Sequence, residues 1–347
     1  MKLIGLRAMR LALCLAAMVT FAVPGFAADK VVVGMIGSFS DAPFFLAVKN
    51  GYFKDVNIEP QFEQLGSLTK QVAPLSAGRI DVASGAVSAG LYNAVTRDIP
   101  LRVVADKGRN APGYGYNVIM VRKDLYENGT IKSFKDMKGH SIATIGSASA
   151  DMSILNEMMK KGGLSYDDLK QTALTLPNHL IALENKGIDM TLTPEPFATI
   201  IEKKGLAVKF ATVSSFYPNQ QQLVLIYGAD FMKKRHDVAE RFMVAYLRGV
   251  RSYMDGLKDG KIAGPNADEV IAVTVANTHS KNPKLLKEIS PVFVNVDGEV
   301  NMESMKKDWE FFKEKGLVKG DTTPEELVDM SFVKAALKKI GPYEAKK

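Results

Sequence analysis

Short apolar segments alternate with segments of helical periodicity along most of the chain, and this alternation constrains the fold more than any other feature. The pattern is typical of strands that crossover helices join into a mostly parallel sheet. Strands are predicted at residues 31–37, 58–64, 80–84, 101–105, 141–146 and 188–193. Helices are predicted at residues 68–77, 88–96, 149–161, 267–278, 302–315 and 324–339, with a long helical region beginning near 231. The sequence therefore predicts an α/β fold.

The strand and helix plan restarts in the middle of the chain. Ile-Gly-Ser-Phe-Ser at 36–40 is echoed by Ile-Gly-Ser-Ala-Ser at 145–149, and Gly-Arg-Ile-Asp at 78–81 by Lys-Gly-Ile-Asp at 186–189. Ile36 and Gly78, which begin the two motifs in the first half, are 42 positions apart, and Ile145 and Lys186, which begin their echoes, are 41 positions apart. Similar spacing indicates two lobes built on one plan, each a mostly parallel sheet flanked by helices. Chance matches between short α/β motifs are the alternative.

Two β-prone segments bracket the second set of elements. Residues 117–122 and 222–227 are apolar, and we expect them to be crossing strands that join the lobes. The sequence predicts that residues 28–118 and 226–347 form lobe 1 and that residues 119–225 form lobe 2.

The N-terminus has the features of a secretory signal peptide. Three cations, Lys2, Arg7 and Arg10, precede an apolar run at 11–23, which is too short for a stable membrane span. Small residues follow, and cleavage is predicted after residue 27. Lipidation of Cys14 is disfavoured because bulky Leu13 stands where a lipoprotein signal needs a small residue. We expect a periplasmic protein with residues 1–27 removed.

Composition excludes several classes of protein. Cleavage removes the single cysteine, which excludes disulfides and thiolate-bound metal from the mature chain. The formal charge of +7 includes the three leader cations, and the remaining Lys and Arg residues are scattered. Nucleic-acid binding is therefore not indicated. We expect a monomer because closure about a hinge requires free lobes.

Candidate ligand-binding residues follow from the predicted sheets, because open parallel sheets bind ligands at the carboxyl ends of their strands. In lobe 1 the candidates are Ser38, Phe39, Ser40, Phe44, Gly85, Ala86, Ser88, Arg109 and Asn110. In lobe 2 they are Ser147, Ser149, Asn178, Glu195 and Tyr217. The serines have helix capping as an alternative role, and so does Glu195, which lies between two prolines.

Catalytic motifs are weak. Ala-Val-Ser-Ala-Gly at 86–90 resembles a nucleophile elbow, but Ala replaces its first glycine, and the chain has only four histidines. The sequence shows no dinucleotide fingerprint, phosphate-binding loop or metal-binding motif. We therefore expect no enzyme activity, no cofactor and no metal site. A serine hydrolase that uses Ser88 is the catalytic alternative.

Five segments carry a family resemblance. They are PFFLAVKNGYF at 43–53, LSAGRIDVASG at 75–85, FKDMKGHSIATI at 134–145, GIDMTLTPEP at 187–196 and FMVAYLRGVR at 242–251. In this order they resemble the periplasmic binding proteins of the nitrate, sulfonate, taurine and thiamine-pyrimidine-precursor group. The resemblance implies a two-lobed receptor that delivers ligand to an ABC permease and its ATPase. Related pyrimidine synthases carry a Cys-rich motif, which the mature chain lacks.

The predicted site favours a particular kind of ligand. Phe39, Phe44 and Tyr217 together with the acid Glu195 indicate a flat, nitrogen-bearing organic molecule such as a pyrimidine precursor. An alkanesulfonate, taurine or a carboxylate is the alternative ligand. A receptor that signals to a sensor protein is the alternative function.

Overall fold

The computed structural model describes residues 27–345. Residues 1–26 lie outside the described part, and they include Cys14 and all but the last residue of the predicted leader 1–27. Ten strands form two five-stranded sheets. The first sheet contains β1 (Asp29–Met35), β2 (Ile58–Gln64), β3 (Val82–Ala86), β4 (Leu101–Asn110) and β10 (Gln220–Gly228). The second contains β5 (Asn117–Arg122), β6 (Ser141–Thr144), β7 (Lys170–Ala173), β8 (Met190–Pro194) and β9 (Ala207–Thr212).

The two sheets have the same plan. Their strand orders are β2-β1-β3-β10-β4 and β7-β6-β8-β5-β9. In the first sheet β1 pairs in parallel with β2 and β3, and β10 lies antiparallel between β3 and β4. In the second, β6 pairs in parallel with β7 and β8, and β5 lies antiparallel between β8 and β9. The predicted two-lobed α/β fold is confirmed, and each sheet is mixed because it contains one reversed strand.

Helices flank both sheets. In the first half of the chain they are α1 (Ala42–Lys49), α2 (Tyr52–Asp55), α3 (Leu68–Ser76), α4 (Ala89–Thr96), α5 (Lys123–Glu127), α6 (Ala150–Lys161) and α7 (Leu176–Glu184). The rest are α8 (Phe197–Lys203), α9 (Val213–Phe216), α10 (Ala229–Lys234), α11 (His236–Met254), α12 (Ala267–Asn277), α13 (Pro283–Glu288), α14 (Met302–Glu314), α15 (Pro324–Leu327) and α16 (Ser331–Ile340). The single helix predicted at 324–339 is two helices, because the chain between them pairs Val328 with Val103 of β4.

The internal echo corresponds to equivalent contacts. Asp81 precedes β3, accepts a hydrogen bond from the Val32 N–H at 2.9 Å and pairs with Arg235 at 3.0 Å. Asp189 precedes β8 in the other sheet, accepts from the Ser141 N–H at 3.0 Å and pairs with Arg122 at 3.1 Å. In each lobe the aspartate ties the strand that follows it to the neighbouring parallel strand, so the repeated Ile-Asp has a structural reason.

The chain crosses between the sheets outside the predicted crossing strands. β5 belongs wholly to the second sheet and β10 wholly to the first. The connections between sheets are residues 111–116 and 213–219, and α9 lies within the second connection. The predicted lobe boundaries at 118 and 225 therefore fall inside β5 and β10, since both strands are held in regular ladders there.

The apolar core is shared between the lobes. One buried cluster packs α1 and α11 against the first sheet. A second contains residues of both sheets, including Ile226 of β10 and Ile119 of β5. Within residues 27–345, no helix combines the length and the apolar character needed to cross a bilayer.

Candidate functional site

A cleft lies between the sheets at the carboxyl ends of β1, β3, β6 and β8. It has two chambers, which we name by their linings: the inner chamber of about 240 Å³ contains Ser88 and Ser149, and the outer chamber of about 430 Å³ contains Glu195 and His279. The residues that line both chambers are Ile36, Ser38, Tyr116, Leu176 and Pro194. Because residues of both lobes line each chamber, movement of one lobe against the other would change the size of both chambers.

Two helix N-termini meet at the inner chamber. Ser88 precedes α4 in the first lobe and Ser149 precedes α6 in the second, and these serines form an antiparallel bridge. The Ala89 N–H donates to the Ala148 carbonyl at 3.0 Å, and the Ala150 N–H donates to the Val87 carbonyl at 2.9 Å. The first amide of each helix is therefore bonded across the lobes and does not face the chamber as a free donor.

The inner chamber contains a buried carboxylate. Asp151, in the first turn of α6, is 6% exposed and accepts hydrogen bonds from Gln222 Nε2 at 3.0 Å and from the Ile145 N–H at 3.3 Å. Burial raises the pKa of Asp151, and the hydrogen bond from Gln222 opposes that rise. Asn117, at the start of β5, is also buried and lines the same chamber. Asp151, Gln222 and Asn117 are here named the polar triad.

Glu195 lines the outer chamber, but its carboxylate is occupied. Its Oε2 accepts from the Thr199 N–H at 3.0 Å, and its Oε1 accepts from the Thr199 hydroxyl and from Lys209 Nζ, both at 2.8 Å. Glu195 therefore fixes the first turn of α8 and pairs with a lysine of β9. The capping alternative accounts for this acid, and the structure gives no support to its expected role as the ligand-binding acid.

The turn after β1 rests on a buried ion pair. Lys107 Nζ lies 2.8 Å from Asp41 Oδ1, and both side chains are 0% exposed. Asp41 Oδ2 accepts from the backbone N–H groups of Gly37 and Ser38 at 2.8 and 3.0 Å. Lys107 also donates to Ser40 Oγ, which lies 2.9 Å from Ser38 Oγ. A buried charge pair therefore holds the backbone of the turn that lines both chambers.

The structure brings half of the predicted site residues to the cleft. Those that line a chamber are Ser38, Phe39, Ala86, Ser88, Ser147, Ser149 and Glu195. Phe39 is 1% exposed and packs edge-on against Tyr253, so it is chiefly a core residue at the chamber wall.

The other predicted residues lie away from the chambers. Phe44 is fully buried against Tyr246, and Ser40 is buried beside the Lys107–Asp41 pair. Gly85 lies within β3, where a Cβ atom would meet the Leu68 side chain at 2.7 Å. Asn178 is an exposed residue of α7.

Three more predicted residues have structural partners instead of a place in the chambers. β4 runs five residues beyond its predicted end because β10 pairs with it, so Arg109 and Asn110 lie in the strand and not in a loop. Arg109 pairs with Asp106, whose pKa is raised by burial, and Asn110 donates to Gln220 Oε1 at 2.8 Å. Tyr217 donates its hydroxyl to Asp308 at 2.7 Å.

The polar triad and Tyr116 were not among the sequence candidates. Asn117 and Gln222 lie near the amino ends of β5 and β10, which run antiparallel to their neighbours. The amino end of a reversed strand lies at the same sheet edge as the carboxyl ends of the parallel strands. Polar residues at the start of a crossing strand were the signal that could have identified these two amides.

A larger hollow of about 560 Å³ lies elsewhere, beside Lys258 and Tyr343. The second sheet contributes nothing to its lining, so it is separate from the cleft. Among residues 27–345 there is no cluster of three or more His, Cys, Asp or Glu side chains that could hold a metal ion.

Comparison with known sequences identifies one family. The family described as NMT1/THI5 like matches residues 38–256, more than half of the chain and most of both sheets. No curated protein sequence matches the chain.

Solved structures with the same fold include binding proteins and an enzyme. The ligand-binding component of an ABC-type import system from Staphylococcus aureus is 16% identical, with a TM-score of 0.70 over 89% of this chain and 99% of that one. The periplasmic aliphatic sulphonate-binding protein SsuA from Escherichia coli is 15% identical, with a TM-score of 0.67 over 88% and 99%. The desulfurization enzyme DszB is 12% identical, with a TM-score of 0.62 over 90% and 100%. At these identities the likeness shows the fold alone.

Proposed function

The chain belongs to the NMT1/THI5-like family, and from this premise we propose that it is the periplasmic solute receptor of an ABC importer. The family match confirms the resemblance that the five sequence segments indicated. The printed descriptions of two structural neighbours, a component of an import system and a periplasmic binding protein, support the same role. The proposed partners are a small solute, a permease and the permease's ATPase.

The observation that carries the proposal is a cleft to which two lobes of the same plan both contribute walls. Ser38 and Ser88 come from turns of the first lobe, and Ser147 and Ser149 from a turn of the second. A solute between these turns would contact both lobes at once. Binding would therefore favour the closed arrangement over an open one, because only the closed arrangement offers the full set of contacts.

Closure would bend the chain where it crosses between sheets. Residues 111–116 and 213–219 are the proposed hinge, in place of the predicted crossing strands at 117–122 and 222–227, which lie in paired strands. The backbone bonds at the Ser88–Ser149 bridge hold the lobes together in the structure. Opening would break these bonds and admit the solute.

A small organic solute fits this cleft better than an inorganic anion. The apolar groups of the outer chamber include Leu176, Phe197 and Leu286, and Tyr116 adds an aromatic ring to both chambers. His279 and Lys281 also line the outer chamber, and the Lys281 ammonium donates to carbonyl oxygens at the end of α12. We favour a flat heteroaromatic ligand, with a pyrimidine precursor as the example. An alkanesulfonate is the competing ligand, on the strength of the neighbour that binds one.

A thermal-shift screen of the mature protein against periplasmic solutes tests the receptor function. A ligand at about a hundred times its dissociation constant should stabilise the fold by roughly 2.7 kcal/mol. Small-angle scattering with the same ligand should show a smaller radius of gyration than without it. A screen in which no small solute stabilises the protein would contradict the proposal. A permease gene beside this one would indicate import, as opposed to signalling to a sensor protein.

Catalysis is the second candidate, because an enzyme has the same fold. Ser88 is the nucleophile to test, since it lines the inner chamber. Among the described residues that line this chamber there is no histidine to act as its base. Ser88→Ala should still bind the solute, with at most the loss of one hydroxyl contact. Turnover by the wild-type protein that Ser88→Ala abolishes would establish the enzyme instead.

A further inference from the structure

Helix α14 connects the two lobes beside the second hinge segment. It comes after the last strand of the first sheet, and its Ser304 hydroxyl accepts from the Gln221 N–H of β10 at 2.8 Å. Another face of α14 meets α6 of the second lobe, where the Ser153 hydroxyl donates to Asp308 Oδ1 at 2.5 Å. The lobes are therefore in contact through α14 as well as across the cleft.

Asp308 is the buried centre of this contact. It is 0% exposed, and it also accepts from the Tyr217 hydroxyl at 2.7 Å and from Gln220 Nε2 at 3.1 Å. Burial raises the pKa of Asp308 to about 6, and the hydrogen bonds and nearby Lys307 oppose that rise, so the group is chiefly ionised at pH 7.5. Ser153 belongs to the second lobe, Tyr217 to the hinge and Gln220 to the first lobe. One carboxylate thus binds a donor from each side of the hinge and one from the hinge itself.

Further contacts lie along α14 on either side of this carboxylate. Lys307 Nζ lies 2.5 Å from Glu157 of α6 and also stands over the Tyr217 ring, 4.6 Å from its centroid. One turn further on, Phe311 packs edge-on against Tyr166 of the second lobe, with ring centroids 5.1 Å apart. We name as the interlobe seam the second-lobe residues Ser153, Glu157 and Tyr166 together with Lys307, Asp308 and Phe311 of α14.

The interlobe seam is separate from the ligand cleft, but the same helix carries parts of both. Among the described residues that line the two chambers there is no member of the seam. Ser149, at the start of α6, lines the inner chamber, and Ser153 lies about 6 Å further along the helix. Opening that parts Ser149 from Ser88 would therefore also displace Ser153 relative to Asp308.

We propose that the interlobe seam is a conformational latch, which stabilises the closed arrangement of the lobes independently of any solute. The inference rests on the proposed receptor function and goes beyond it, because it assigns control of closure to residues outside the cleft. Loss of a seam contact should raise the ratio of open to closed protein. The apparent affinity for a solute that needs the closed form should fall as the closed fraction falls.

Pulsed electron paramagnetic resonance measures the distance between the lobes without a ligand. The chain from residue 28 onward has no cysteine, so spin labels at Lys70→Cys in α3 and Asn178→Cys in α7 report one distance between exposed sites of opposite lobes. The protein is refolded from urea at pH 7.5 to remove bound solute. Ser153→Ala should raise the ratio of long to short distances about tenfold, the usual value of a hydrogen bond to a charged group.

Lys307→Met is a second variant that does not depend on the fold tolerating a change at buried Ser153. Its side chain is 46% exposed, so loss of the pair with Glu157 should raise the same ratio about two- to fivefold. Lys313→Met is its matched control, because it removes the same charge from α14 while its partner, Asp321, lies outside the second lobe.

Ser252→Ala is the matched control for Ser153→Ala. It removes a buried hydroxyl that bonds to Tyr52 within the first lobe, at 2.9 Å. Both controls should keep the wild-type distances. Shifts in the controls equal to those in the seam variants, or no shift in either seam variant, would overturn the latch. A wild type that shows only the long distance would overturn it too. None of these results removes the receptor function, which the thermal-shift screen tests separately.

Discussion

Removing the ammonium group of Lys107 should destabilise the protein strongly, because it would leave a buried carboxylate without its counter-ion. Lys107 and Asp41 are fully buried, and their closest atoms are 2.8 Å apart. Breaking a buried ion pair by removing one partner costs about 3–5 kcal/mol. Lys107→Met keeps most of the side-chain volume and removes the charge, so the free energy of unfolding should fall by about that amount.

The paired variant Lys107→Met with Asp41→Asn separates the charge effect from simple loss of packing. The Asn oxygen can still accept from the backbone N–H groups of Gly37 and Ser38, and no unpaired charge remains. More than half of the lost stability should return, since replacing both members of a buried pair is often nearly neutral.

Urea unfolding monitored by far-ultraviolet circular dichroism measures both variants against the wild type. A loss below about 1 kcal/mol in Lys107→Met would show that the buried pair contributes little. A paired variant that is less stable than Lys107→Met alone would refute the reasoning, because an unpaired carboxylate would then not be the source of the instability.

Three further changes have expected outcomes. Glu195→Gln should lower the free energy of unfolding by about 1–3 kcal/mol, because the ion pair with Lys209 is lost. Calorimetry should find the ligand affinity within about twofold of the wild type, and a tenfold loss would show that Glu195 binds the ligand. Burial raises the pKa of Asp308 to about 6, so the stability this group contributes is fully present below the ordinary carboxyl range and is lost as pH rises through 6. Urea titrations from pH 4 to 7.5 should therefore show a smaller loss of unfolding free energy in Asp308→Asn than in the wild type. The difference should be about 1.4 kcal/mol for each unit by which the pKa of Asp308 differs between the folded and unfolded states. Identical pH profiles of the two proteins would contradict a raised pKa at Asp308. Gly249→Ala places a Cβ atom in steric overlap with the Pro43 carbonyl oxygen, so α1 and α11 must separate. Thermal unfolding should show a loss of about 1–3 kcal/mol, although alanine is intrinsically a better helix former than glycine.

The fold was largely predictable because the buried face of each strand or helix leaves a local, periodic pattern of apolar residues in the sequence. Buried strands such as β1 and β3 appear as apolar runs. The repeated Ile-Asp corresponds to equivalent contacts of Asp81 and Asp189 in the two lobes. The ends of strands were harder to predict. Lys107 and Arg109 are charged, which is typical of a loop, yet both lie in β4. Asp41, from the turn after β1, pairs with Lys107, and Asp106 of the same strand pairs with Arg109.

The candidate site was predictable in its position and not in its chemistry. Turns after parallel strands supplied Ser38, Ser88 and Ser149 as expected of the topology. The polar triad joins residues 117, 151 and 222, which only the crossing of the chain between sheets brings together. Glu195 has the sequence context of a ligand-binding acid, and its occupation by Lys209 and Thr199 depends on contacts that no local pattern shows.

The central claim is that the cleft binds one small solute without transforming it. Native mass spectrometry of the freshly purified mature protein measures this directly. We predict a protein peak with the added mass of one small solute, which is released unchanged on unfolding. A peak at the mass of the bare chain, unaltered after incubation with a broad library of periplasmic solutes, would contradict the claim.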